Sequence, residues 1–173
     1  MSIQIILVME ASEQSRSDYI YISSILDLWY DFRMRSDIKI TRIFMDGKGN
    51  YNKKKIANKI DRAIKEYKNG NSHVVYCFDT DKYDSNPNDL RVLEEEQKYC
   101  EENGYDFVWF CHDIEEVFLG ASVSKNEKMD KAKEYIVNNG ANKLDKSDFI
   151  AETISKKRSN LVRVIEKYLV KNK

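Results

Sequence analysis

A chain of 173 residues with a single proline and no linker-like stretch is long enough to bury a real core and reads as one compact domain. Its 29 basic residues balance its 29 acidic ones, which excludes a simple polycationic nucleic-acid binder. Cys77, Cys100 and Cys111 are odd in number and lack Cys-x-x-Cys spacing, which argues against a disulfide framework or a structural zinc site and suits reduced thiols in the cytoplasm.

Ile3–Met9 is a nearly continuous apolar run, as a strand covered on both faces requires, and it ends at Glu10. The run is too short for a signal-peptide core, and no apolar run approaches the ~20 residues that span a bilayer, so no export or membrane segment is expected. Asp18–Arg35 places Tyr19, Ile22, Ile25, Leu26, Trp29 and Phe32 at helical spacing, an apolar stripe that reads as core. Lys39–Met45 returns to strand character, and Asp46–Asn50 reads as a flexible loop whose two glycines permit positive φ but lack a phosphate-binding fingerprint. Lys53–Asn69 predicts a second helix with Ile56, Ile60, Ala63, Ile64 and Tyr67 inside; its lysines face either solvent or a phosphate backbone.

The stretch His73–Asp81 predicts a buried strand that ends in two acids, Asp79 and Asp81. Asn88–Asn103 predicts a Glu-rich helix closed by Gly104, and Tyr105–Cys111 a fourth strand. Beyond it, Ile114–Leu119 brings Glu115 and Glu116 to the same edge. The remainder reads as mostly helical, with Leu161, Val164, Ile165, Tyr168 and Leu169 on the core face of the last helix.

Alternation of strands and helices predicts an α/β fold with a mainly parallel four-stranded sheet over residues 1–120, helices on both faces, and a helical C-terminal extension over 121–173. Ligands of such sheets bind beyond the carboxyl ends of the strands, where Glu10, Asp79, Asp81 and Glu115 or Glu116 collect. Hard oxygen donors in that place suit Mg²⁺ or Mn²⁺. Local chemistry also accounts for Asp at these positions, since turns and helix N-caps favour it. Charge is uneven along the chain: Asp79–Glu116 carries thirteen acids against three bases, and Thr153–Lys173 seven bases against one acid. That basic tail is a candidate anion-binding segment, and His112 is either a proton shuttle or a hydrogen-bonded strand-end histidine.

Glu10 after an apolar first strand and ahead of a helix, with Phe78–Asp79–Thr80–Asp81 after a later strand, resembles the Toprim catalytic fold of topoisomerases, primases and OLD-type nucleases. Within it, Glu10–Ala11, Ser15, Tyr19–Ile20, the turn Gly47–Asn50 and Ile114–Leu119 are similar to motifs of the RloB-type proteins of bacterial restriction and abortive-infection loci. Ala11 stands where that family has Gly, its helix-opening acid has no counterpart in the expected place, and its Pro-containing approach to the last acid is missing. The resemblance implies a metal-dependent nuclease on DNA or RNA, acting in phage defence and with a possible ATPase partner. Asp79 and Asp81 would hold the metal, Glu10 would be general acid/base or a further ligand, and Glu116 would complete the cluster. A non-catalytic Toprim-like module working through a partner protein is the alternative, since fold alone does not establish catalysis. A receiver-like domain fits less well, because it expects an acidic pair after the first strand and a Lys after the last.

Overall fold

The first apolar run becomes an interior strand because both of its faces find cover. In the computed structural model, which describes residues 2–169, β1 (Ser2–Met9) lies between β2 (Ile38–Phe44) and β3 (Gly70–Asp79), and β4 (Asp106–Phe110) flanks β3. All pairings are parallel, in the order β2-β1-β3-β4. Along β1, Ile5, Leu7 and Met9 join one core cluster and Ile6 and Val8 the other, as the two-residue period of a strand demands.

The crossovers are α1 (Ser17–Tyr30), α2 (Lys54–Glu66) and α3 (Pro87–Asn103). Tyr21, Ile22 and Ile25 of α1 pack on the first face, whereas Ile56 and Ile60 of α2 and Cys100 of α3 pack on the second. One crossover hand requires this split, because the chain steps one way from β1 to β2 and the opposite way thereafter. The expected helix Asp18–Arg35 stops early: Asp31 adopts φ +48 and ends α1, and a 3-10 turn at Phe32–Met34 keeps Phe32 buried. Gly104 closes α3 at φ +68, and Asn86 caps its start by accepting from the Asn88 amide.

Short helices α4 (Ile114–Leu119), α5 (Lys128–Val137) and α6 (Leu161–Ile165) complete the first face through Val117, Phe118, Ala132, Tyr135, Leu161 and Ile165. The C-terminal extension is therefore less helical than expected, and residues 150–160 are irregular for a reason. They cover the edge strand β4: Ser159 bridges Phe110, its hydroxyl donates to the Trp109 carbonyl at 2.6 Å, and the Asn160 side chain accepts from the Trp109 amide at 2.9 Å. Of the expected basic tail, Lys171 and Lys173 lie outside the described residues. Among the described residues no helix is long and apolar enough to cross a membrane.

Candidate functional site

Because the chain leaves β1 towards one side and later returns to build the other, a crevice opens between the carboxyl ends of β1 and β3. Two sets of backbone bonds shape its walls. On one side the exit of β2 is tied to that of β1, with the Met45 and Gly47 amides donating to the carbonyls of Met9 and Glu10 at 2.8 and 3.0 Å. On the other, the Thr80 and Asp81 amides donate to the carbonyls of Phe110 and His112 at 3.0 and 2.9 Å. Three of the four exits, those of β2, β3 and β4, contain a non-glycine residue at positive φ: Asp46 at 55°, Asp81 at 50° and His112 at 60°. Such residues cost roughly 1–3 kcal/mol each and cluster where a site, rather than the fold, dictates the backbone.

Glu10, Asp18 and Asp79 line one cavity of about 640 Å³, together with Asp46 and Lys128. Each of the three acids spends one oxygen on a backbone amide: Glu10 accepts from Asp79 at 2.7 Å, Asp79 from Ile114 at 2.9 Å, and Asp18 from Ala11 at 2.9 Å. Glu115 of α4 is wholly buried and ion-paired with Lys128 at 3.1 Å, leaving its Oε1 with no partner among the described residues. Burial, followed by the charges of Glu10, Asp18 and Glu115, raises the Asp79 carboxyl well above the usual range, with Lys128 opposing. Burial likewise raises Asp18 and pushes Glu10 up to about 8, with Lys48 opposing the latter. Glu10, with its carboxyl near 8, therefore retains its proton at neutral pH.

Lys48 is the second centre of charge. Its ammonium donates to the Asp79 carbonyl at 2.5 Å and to Asp81 Oδ2 at 2.8 Å, and lies 3.9 Å from both Glu10 Oε1 and Glu96 Oε1. Glu96 projects from α3 fully buried with neither oxygen hydrogen-bonded among the described residues, and burial pushes its carboxyl up to about 8. The loop expected to be flexible is thus held in place: a 3-10 turn at Lys48–Asn50 is fastened by the Asn50 side-chain Nδ2, which donates to the Met45 and Asp46 carbonyls.

Of the residues singled out in the sequence, Glu10 and Asp79 meet directly, and Asp81 reaches Glu10 only through Lys48. The left-handed turn at Asp81 directs its side chain away from the cavity of Asp79, into a neighbouring depression with Asp84 and Asp89. Glu116 lies in that same depression, its Oε2 3.0 Å from His112 Nδ1, while His112 Nε2 faces Asp84 at 3.2 Å. On α4 a step of one residue is a rotation of about 100°, so Glu115 and not Glu116 is the acid whose charge acts on Asp79. Sequence reading missed Asp18, Lys48, Glu96 and Lys128. Asp18 was findable as an acid opening the helix after Glu10, but nothing local marks Lys48, whose four partners come from three other segments, the exits of β1 and β3 and helix α3.

A divalent cation is implied by the family resemblance, and the donors bear on whether it fits. Glu10, Asp18 and Asp79 offer hard oxygens, the second oxygen of each is free of hydrogen bonds among the described residues, and burial raises all three carboxyls, a cost that a bound cation would relieve. This chemistry suits Mg²⁺ or Mn²⁺. The acids are not gathered as ready ligands, however: no group of three or more His, Cys, Asp or Glu among the described residues is disposed to hold a metal ion. Family models, curated proteins and solved structures offer no match to this chain.

Proposed function

We propose that the protein is a divalent-metal-dependent, phosphodiester-processing enzyme of the nuclease type, acting on DNA or RNA. The observation that carries this reading is the crevice at the switch between β1 and β3, where Glu10, Asp18 and Asp79 each keep one oxygen in reserve. Asp18 and Asp79 would hold Mg²⁺ or Mn²⁺, with Glu10 as a further ligand or as the general acid/base. The ion, when bound, supplies charge neutralisation at a phosphate and a more acidic water. Glu10, raised to about 8, is suited to hold and release a proton near neutral pH. Lys48 orients Asp81 and the Asp79 carbonyl, and Glu115 with Lys128 sets the charge behind Asp79.

The test is calorimetric titration of Mg²⁺ and Mn²⁺ into the wild type and a Glu10→Gln/Asp79→Asn variant, with cleavage assays on single- and double-stranded DNA and RNA. Binding that releases protons and vanishes in the variant together with cleavage supports the reading. A folded wild type that binds neither ion refutes it. A second reading, a non-catalytic module acting through a partner, is favoured by one feature: the Lys48 ammonium already stands among Glu10, Asp81 and Glu96 as an internal counter-ion. Metal binding without cleavage of any nucleic acid would select that reading.

A further inference from the structure

The acid cavity opens into a basic groove, and the two sides of the crevice differ in charge. Ser12, Gln14 and Asp46 line both the acid cavity and an adjoining one of about 460 Å³ that is bordered by Lys53, Lys55 and Lys59 of the α2 region. Lys59 also borders a further depression, with Arg42 of β2 and Arg62 of α2. A continuous track therefore runs from Glu10 and Asp79 along α2 over the edge of the sheet. Glu13 and Glu66 lie on it too, but Arg62 pairs with Glu66 at 2.7 Å, and Lys53, Lys54, Lys55 and Lys59 form no ion pair among the described residues.

Three facts single this surface out. Lys53, Lys54 and Lys55 crowd the first turn of α2, which has no side-chain cap and no acid; like charge at the positive end of a helix works against folding and so asks for another reason. The opposite side of the crevice is acidic, with Asp81, Asp84, Asp89, Asp113 and Glu116 against Lys82 and His112. Finally, three of the five C-terminal basic residues that the structure describes are paired within the fold: Arg158 faces Asp148, Arg163 Glu152, and Lys167 Asp106. Asp106 begins β4, so Lys167 sits at the far edge of the sheet from the site.

Resting on the phosphodiester reading of the acid cavity, we infer that a nucleic-acid strand enters along this track, its phosphates on Lys53, Lys55 and Lys59, with the acidic side repelling it from the other approach. Charge of this kind recognises backbone, so binding is insensitive to base sequence and sensitive to salt. The probe is a fluorescein-labelled 20-nucleotide single-stranded DNA, titrated in KCl from 50 to 300 mM with Ca²⁺ as a non-catalytic ion. Removing two single-strand phosphate contacts lowers the slope of log affinity against log salt by about 1.4. If affinities converge at 1 M salt, the Lys55→Ala/Lys59→Ala variant binds roughly 60-fold more weakly at 50 mM. Both positions are exposed, so the variant folds, and its thermal midpoint serves as the check.

Loss of affinity and slope in this variant, with Lys156→Ala/Lys157→Ala unchanged, supports the track. The reverse pattern overturns it and leaves the proposed function standing. Equal affinity for a polyglutamate peptide overturns it in favour of an acidic protein partner. A wild type that binds no nucleic acid overturns it as well, and the metal titration, in which these lysines take no part, then decides the fate of the acid site separately.

Discussion

Replacing Glu96 by Gln should flatten the dependence of stability on pH. In the folded chain the carboxyl is fully buried, has no hydrogen bond among the described residues and is raised from 4.5 to about 8. Between those values the folded state holds a proton that the unfolded state has lost. Stability contributed by this group is thus complete below about pH 4.5 and is lost as pH rises through 8. The slope is at most about 1.4 kcal/mol per pH unit, and the whole traverse is about 5 kcal/mol, a large part of the 5–15 kcal/mol that holds a domain together. Glu10 acts with the same sign, and the nearby Lys48 ammonium moderates both. At pH 5, Gln and protonated Glu are both neutral and poorly bonded, so wild type and variant should agree within about 1 kcal/mol. At pH 8.5 the variant should be the more stable by about 3 kcal/mol, a shift of roughly 1–2 M in the urea midpoint. Urea denaturation at half-unit pH steps reads this directly. A difference between the two proteins that stays constant across pH 5–8.5 would refute the reasoning, because Glu96 would then be ionised against Lys48 throughout.

Lys48→Met removes the ammonium shared by Glu10, Asp81 and Glu96, and breaking such a buried pairing costs about 3–5 kcal/mol. Denaturation should show most of this loss at pH 8.5 and little at pH 5, where Glu10 and Glu96 are protonated; a pH-independent loss would point to packing alone. The two histidines should titrate on opposite sides of 6.5 when followed by NMR. Burial disfavours the charged form of each, but bonds from Asp84 and Glu116 outweigh it and raise His112, whereas His73 is lowered with only Asp106 opposing. The His112 contribution to stability is then present below 6.5 and fades as pH rises through its higher folded value; identical or reversed midpoints would sink this assignment. Gly70→Ala should cost about 2–3 kcal/mol in thermal or urea unfolding, because a Cβ there would stand 1.7 Å from the Ser2 carbonyl oxygen at the start of β1; a neutral effect would mean that β1 and β3 separate freely at that end.

Read by itself, the sequence was enough to determine the four strands, the three crossover helices and which of them are interior, though not the irregular C-terminal cover of β4. Ile3–Met9 has no polar face and must be interior, the 3.6-residue stripe of α1 must face a core, and alternating strand and helix leave a parallel sheet with both faces covered. It also brought Glu10 and Asp79 to one edge, because both follow strands that end there. What it could not convey was direction. Asp79 and Asp81 are two residues apart and would share a side in a strand, but a left-handed residue at 81 parts them. Glu115 and Glu116 are neighbours in sequence, and the rotation of a short helix hands one to Asp79 and the other to His112. Lys48 and Glu96 are 48 residues apart, and only the packing of the β2 exit against α3 brings their charges together. Local pattern depends on solvent exposure, which period and composition encode residue by residue. The electrostatics of a site depend on distances between segments, and only the folded chain sets those.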